Sequence, residues 1–326
     1  MSTLTSNTQL TLLELAKRLD PKGNAAVIAE VLNETNEIMF DAPWSEANNI
    51  FSHKTTRRLS LPSGSWRKLN AGVSAEISTT IEVTETLGML ESYAENDKMI
   101  IDAYPDKGSG RMQEVKPFIE GMGQELAQTM IYGSTITSPE EFDGLATRMN
   151  SLDADGNVIG QGGTGSDVTS VYIVQWGLDK VHMIWPKGSK NVGIVHKDLG
   201  ERTKVDSNDK MWQVYRDHFK FSGGMVCRNP RNMARIANIE TSGTANIFDE
   251  DNLIKLMNRM PQRGKGAKIY ANQTVITQME IKLKDKTNVN FTPAKGEGLA
   301  GEPVMYFRSC PIRLVEQILD TETAIS

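Results

Sequence analysis

Residues 75–87 alternate apolar and polar side chains along most of their length, the pattern of a strand with one dry face and one wet one. Ile77, Ile81, Val83 and Leu87 fall on one side, and Glu76, Ser78, Thr80 and Glu82 on the other. Such a strand needs a partner for its edge and cover for its apolar face. Residues 54–61 read as extended, and Pro62-Ser63-Gly64 turns them into Trp66-Arg67-Lys68-Leu69, so a long hairpin is expected to project over about 53–89. The cover has no local source.

The N-terminal part has the same shortage. Leu12, Leu15, Ala16 and Leu19 recur at helical spacing until Asp20-Pro21-Lys22-Gly23 stops them, and Val27, Ile28, Val31 and Leu32 form a second stripe. Two short amphipathic helices cannot bury both faces against each other alone. They need a surface from elsewhere in the subunit or from a neighbour.

The remaining chain reads as α+β with elongated strands and no internal repeat. Pro117 suits a first helical turn, and Phe118, Ile119, Met122, Leu126 and Met130 continue a helix to Gly133. Ser138-Pro139-Glu140-Glu141 has the form of a capping box that starts a shorter helix with Phe142 and Leu145. Residues 153–167 are glycine-rich and read as a loop, and 171–176 with 181–185 read as a hairpin around the 177–180 turn. Strand-like sequence runs over 211–226, broken at Gly223-Gly224. Leu253, Ile254, Leu256 and Met257 mark a helix, 267–271 a strand, 275–283 a helix and 304–307 a strand.

At 326 residues and 39% hydrophobic content the chain is long enough for one large or two ordinary domains. Its 36 basic and 41 acidic residues leave a net charge of -5, which argues against a protein whose main task is gripping phosphates. Residues 10–19 contain Glu14, Lys17 and Arg18, so they are neither a signal-peptide core nor a membrane span. Cys227 and Cys310 are too few for a disulfide framework, although one bridge between them stays open.

No motif carries chemistry. The run from Gly160 to Asp167 invites comparison with a phosphate cradle but lacks the lysine and the following helix that a P-loop requires. Asp153, Asp155 and Asn157 imitate the start of a calcium loop, yet the glycine falls fourth instead of sixth and Thr164 stands where a bidentate glutamate belongs. His53, His182, His196 and His218 have no metal-ligand spacing. No catalytic, metal or cofactor-binding residue is therefore proposed.

Basic residues gather at Lys54, Arg57, Arg58, Arg67 and Lys68, on both arms of the expected hairpin. A charged strand edge explains them, as does an arm that reaches an acidic neighbour. Arg228, Arg231 and Arg235 interleave with Met233, Ile236 and Ile239 as in a half-buried strand, and the basic residues over 259–268 read as a solvated loop.

Several stretches, in colinear order, resemble major capsid proteins of short-tailed bacteriophages of the epsilon-fifteen type. They are Val31-Leu32-Asn33-Glu34-Thr35-Asn36-Glu37-Ile38 with Asp41-Ala42-Pro43-Trp44; Leu61-Pro62 with Trp66-Arg67-Lys68-Leu69-Asn70-Ala71-Gly72-Val73; Gly162-Gly163-Thr164-Gly165-Ser166-Asp167 before residues 171–176, with Trp185-Pro186-Lys187-Gly188-Ser189; and Arg235-Ile236-Ala237-Asn238-Ile239. The resemblance implies the Hong Kong 97-type capsid fold in four parts. These would be an N-terminal arm over 1–40, an extended loop over 41–89, a peripheral domain with a long spine helix over 90–240 and an axial domain over 241–326. A loop and hairpin near 150–200 would elaborate the peripheral domain.

The implied function is structural: pentamers and hexamers of an icosahedral head around double-stranded DNA, assembled in the host bacterial cytoplasm and ending in the virion. The expected partners are copies of the chain itself, a portal protein, scaffolding and decoration proteins, and packaged DNA bound without sequence specificity; no membrane and no cofactor are expected. An encapsulin-like compartment is the alternative shell. Candidate inter-subunit contacts are Arg57, Arg58, Trp66, Arg67 and Lys68 on the hairpin, and Glu114, Glu120 and Glu125 on or beside the spine helix.

Overall fold

The computed structural model describes residues 36–104, 106–153, 156–189, 193–205, 208–283, 291–294 and 304–326. The two amphipathic helices expected before residue 36 lie outside them. The strands, in chain order, are β1 (Trp44–Glu46), β2 (Ser52–Arg58), β3 (Thr80–Thr86), β4 (Gly88–Asp97), β5 (Val158–Gly160), β6 (Val168–Val174), β7 (Val181–Trp185), β8 (Val195–Val205), β9 (Met211–Cys227), β10 (Met233–Glu240), β11 (Lys268–Ala271), β12 (Phe291–Ala294), β13 (Val304–Phe307) and β14 (Cys310–Leu314). The described chain divides into two compact units, one containing residues 89–126 and 190–222, the other 35–88, 127–189 and 223–326.

The larger unit is organised by a seven-stranded mixed sheet in the order β12-β13-β14-β11-β6-β10-β5. Alternation along its central strands separates two environments. Val171 and Ile173 of β6 and Ala234 and Ile236 of β10 join Leu253, Leu256 and Met257 of helix Glu250–Arg259 and Val275 and Met279 of helix Gln273–Leu283 in one apolar core. The intervening residues, Ser170, Tyr172 and Arg235, enter a buried polar cluster instead. Helix Glu250–Arg259 starts where the Asp249 carboxylate accepts the Asp251 N–H, and acidic residues in its first turn suit the helix dipole.

In the polar cluster Arg235 donates to Glu322 (2.9 Å), the Ser170 hydroxyl (3.0 Å) and the Met149 carbonyl (2.9 Å). The Ser170, Tyr132 and Tyr172 hydroxyls also donate to Glu322. Burial pushes both tyrosine pKa values far up, so each hydroxyl keeps its proton and donates. The cluster is one of several ties on the C-terminal segment. Asn238 exchanges two hydrogen bonds with Ile325 (2.8 and 2.9 Å), and Asp320 accepts from Asn272 (2.6 Å) and Thr274 (2.8 Å).

The smaller unit is built on β9, which pairs with β4 and, antiparallel, with β8. It carries several charged pairs: Lys98–Glu201 (2.8 Å) and Lys220–Glu91 (3.2 Å) near the surface and Arg216–Glu95 (2.5 Å) partly buried. Arg111 of helix Lys107–Tyr132 forks onto Asp198 and Asp217, and Asp217, almost wholly buried, also meets His196 at 2.7 Å.

Several sequence expectations need correction. Residues 52–58 pair with 80–86, not with 66–69, which form no strand. The helix expected from Pro117 starts at Lys107, with Pro117 inside it, where the ring removes one backbone hydrogen bond without ending the helix. The Ser138 capping box starts no helix; turns lie at 135–137 and 139–140, and the short helix begins at Leu145. Within the expected 153–167 loop, Val158–Gly160 is a strand parallel to β10.

β6 and β7 exist but are not a hairpin. β6 lies between β10 and β11, whereas β7 joins β1 and β9 in another sheet. β9 is not broken at Gly223-Gly224, because Gly224 lets the strand pass close to Thr86: a Cβ there would stand 2.6 Å from the Thr86 carbonyl oxygen. Cys227 and Cys310 are both buried and free.

Candidate inter-subunit surface

β2 and β3 form a two-stranded ribbon in register from Ser52↔Thr86 to Arg58↔Thr80. Beyond it residues 59–79 continue outward, closed by the Leu59 N–H on the Thr79 carbonyl (2.9 Å), a Ser60–Thr79 side-chain bond (2.7 Å) and the Gly64 N–H on Glu76 (3.0 Å). Every residue of 59–79 is exposed. They include Leu61, Trp66, Leu69 and Ile77, at 73%, 104%, 90% and 82% exposure. A two-stranded ribbon is marginal alone in water, and four large apolar side chains on its tip gain nothing from this subunit.

The base of the ribbon is firmly held. His53, Thr55 and Glu85 are buried, with burial fading outward through Val83 to Ile81, 46% exposed. Arg148 donates both guanidinium nitrogens to the Glu85 carboxylate, each at 2.8 Å, and also donates to the Met225 (3.0 Å) and Asp143 (3.2 Å) carbonyls. Arg57 lies 3.8 Å from the same carboxylate and donates to the Cys227 carbonyl. One buried carboxylate thus faces two arginines, with the fork geometry that makes a desolvated pair worthwhile. Glu85 has the parity of Ile81, Val83 and Leu87, so the signal was a charge on the apolar face of the alternation.

Beside this pair His53 and His182 meet edge to face at 6.2 Å between ring centres. His53 Nδ1 accepts the Asn48 N–H at 3.3 Å, while His53 Nε2 and His182 Nδ1 have no hydrogen-bond partner among the described residues. Burial, then Arg228, hold the His53 pKa below its usual value; burial, Arg228 and then His53 push His182 down to about 4. Glu85 and Asp179 oppose the shifts without cancelling them. Both rings are neutral at pH 7, whereas the unfolded chain takes up their protons near pH 6.5. Their contribution is therefore complete above about pH 6.5 and lost on acidification toward 4. Thermal unfolding of the parent should show that acid slope, and His182→Gln should flatten it; an unchanged slope would contradict this account.

Arg57 is half-buried in the base, a correction to its expected place on a free edge. Arg58 is exposed at the end of β2, and Trp66, Arg67 and Lys68 lie in the tip, not on a second strand. Glu114, Glu120 and Glu125 are on the long helix, in the smaller unit; Glu125 is exposed, Glu120 half-buried, and Glu114 accepts from the Tyr104 hydroxyl at 3.3 Å. Sequence reasoning missed Glu85, Arg148, His53 and His182 as the anchor of the ribbon.

A chain from the near-atomic structure of bacteriophage Epsilon15 superimposes over 100% of this chain and 99% of its own, with TM-score 0.69 and 29% identity. The capsid chain of bacteriophage JBD30 matches over 88% and 93%, at TM-score 0.52 and 9% identity, which shows a shared fold. The SrpI encapsulin of Synechococcus elongatus aligns over 72% and 98% at TM-score 0.45 and 10% identity, too slight a likeness to bear on function. No curated protein matches in sequence. The fold, α+β and of the Hong Kong 97 capsid type, is that of a phage shell subunit. The family model for major capsid protein GP7 matches residues 20–326, and the chain belongs to that family. It is a structural protein of the phage virion that assembles with copies of itself into capsomers.

Proposed function

We propose that the chain builds the pentamers and hexamers of an icosahedral head around double-stranded DNA, and that its role is structural, not catalytic. Four parts divide the work: an arm over 1–40, an extended loop over 41–89, a peripheral domain over 90–240 with the long helix as its spine and an elaboration near 150–200, and an axial domain over 241–326. Assembly takes place in the host cytoplasm. The portal protein joins the shell, with scaffolding and decoration proteins as further partners, and DNA is enclosed without sequence reading.

The exposed apolar tip at residues 59–79 carries this reading. Its leucines, Ile77 and Trp66 reach a second copy, while Arg58, Arg67 and Lys68 set the register against acidic groups there, with Glu114, Glu120 and Glu125 as the proposed acceptors. Each exposed charge pair contributes only about 0.2–1 kcal/mol, but repetition over a shell lets such small terms govern closure. Reversing Arg58, Arg67 and Lys68 to glutamate should leave the unfolding midpoint of the free subunit nearly unchanged and make assembly weaker and more salt-sensitive. Sedimentation of shells against ionic strength reads the effect, and equal assembly at every salt concentration would remove these cations from the interface. Arg57 is left out of this set, since a glutamate there would face buried Glu85.

A further inference from the structure

Among the described residues, a group of cations lies outside the Glu85 and Glu322 ion-pair clusters. The turn at Pro230–Asn232 lies beside the turn at Pro261–Gly264, and Gln175 ties them together. Its backbone N–H donates to the Asn232 carbonyl (2.9 Å), and its side-chain amide donates to the carbonyls of Pro261 (3.1 Å) and Lys265 (3.0 Å). On and beside these turns stand Arg228, Arg231, Arg259, Arg263 and Lys265. Arg228 is 3.5 Å from Asp179, and Arg259 donates to the Gly156 carbonyl at 3.0 Å. The exposed side chains of Arg231, Arg263 and Lys265 make no ion pair among the described residues. Arg148, Asp153, Asn157, Arg231, Asn258 and Arg259 line an adjoining cleft of about 680 Å³.

The backbone argues against a merely solvated loop. Gln262 and Arg263 are left-handed at φ 53° and 56°, followed by Gly264 at 70°. Non-glycine residues resist that region. Gln175, 1% exposed, and the Cys310 thiol, which donates to the Gly264 carbonyl at 3.4 Å, hold the turn in it. A turn held from inside fixes the backbone positions from which Gln262 and Arg263 extend.

We propose that this corner binds the phosphate groups of a nucleic-acid backbone, without reading bases. It rests on the reading of the chain as a shell around DNA and names the contact. Guanidinium forks match phosphate oxygens, and four arginines and a lysine spread over two turns suit a line of phosphates better than one carboxylate. A contact with another copy would need an apolar centre, whereas residues 228–232 and 259–265 expose no large apolar side chain. In a chain of net charge -5 the contact is local, so it guides DNA without holding the whole wall to it.

The test is anisotropy of a fluorescein-labelled mixed-sequence duplex with the full-length unassembled subunit, from about 50 to 200 mM salt. Parent affinity should fall linearly on a log–log plot. Arg231→Ala with Arg263→Ala should make that slope shallower by about two units and weaken binding about 10-fold or more at the lowest salt. Lys197→Ala with Arg202→Ala, two exposed basic residues on β8, should leave both unchanged. No parent binding, an unaltered slope in the corner variant, or an equal loss in the β8 variant would overturn the proposal. So would a corner variant that binds the duplex normally but no longer forms shells, which would make the corner a contact between copies. Shell formation by the parent, followed in parallel, reports separately on the structural reading.

Discussion

Replacing Glu322 with alanine should lower the stability of the subunit by about 3–5 kcal/mol, because it leaves Arg235 charged, buried and unpaired. Both side chains are only 5% exposed, and the carboxylate accepts from Ser170, Tyr132, Tyr172 and Arg235 at once. For a chain of 326 residues the loss corresponds to a fall of about 4–7 °C in the unfolding midpoint. Arg235→Met combined with Glu322→Leu should recover only the part owed to the unpaired guanidinium, because the buried Ser170, Tyr132 and Tyr172 hydroxyls still lose their acceptor. A midpoint within about 2 °C of the parent for Glu322→Ala would mean that water reaches Arg235 and that the C-terminal segment is not held as described.

The second large effect is on assembly. Trp66→Ser, Leu69→Ser and Ile77→Ser together remove apolar surface that the free subunit leaves in water, so the isolated chain should unfold at the parent's temperature or slightly above it. Burying a side chain of this class contributes about 1.5–3 kcal/mol, and three of them at each contact amount to several orders of magnitude in association. The variant should remain as unassembled subunits or capsomers at concentrations where the parent forms shells. Normal shells from it would show that the tip is dispensable. Coincident loss of thermal stability would show that these side chains pack within their own subunit.

Much of the sheet was legible because alternation and burial follow one rule. The strands at 267–271 and 304–307 and the helices around 253–257 and 275–283 lie close to where periodicity places them. What failed was pairing. Residues 171–176 and 181–185 look like a hairpin because a short turn joins them, but both faces of β6 are buried, one in the apolar core and one in the Arg235 cluster, so its partners come from distant sequence. The partner of β2 was likewise nonlocal, and a nearby proline–glycine turn drew the reading toward 66–69. Propensity favours proline in a first helical turn, a weak prior that tertiary packing overrides at Pro117. The buried ion pairs were invisible since sequence gives charge without burial, although Glu85 on the apolar face of β3 was a local clue. The exposed tip was legible in part: Leu87 packs against Ala47, Ile184 and Val226 of its own subunit, whereas Ile77 stays in water, and we propose that another subunit covers it.

Electron cryo-microscopy of shells formed by the purified parent chain tests that proposal most directly. The account predicts closed particles in which residues 59–79 of each subunit lie on a neighbouring copy, with Trp66, Leu69 and Ile77 buried there. Closed particles in which those three side chains remain in solvent, or fold back onto their own subunit, would contradict it.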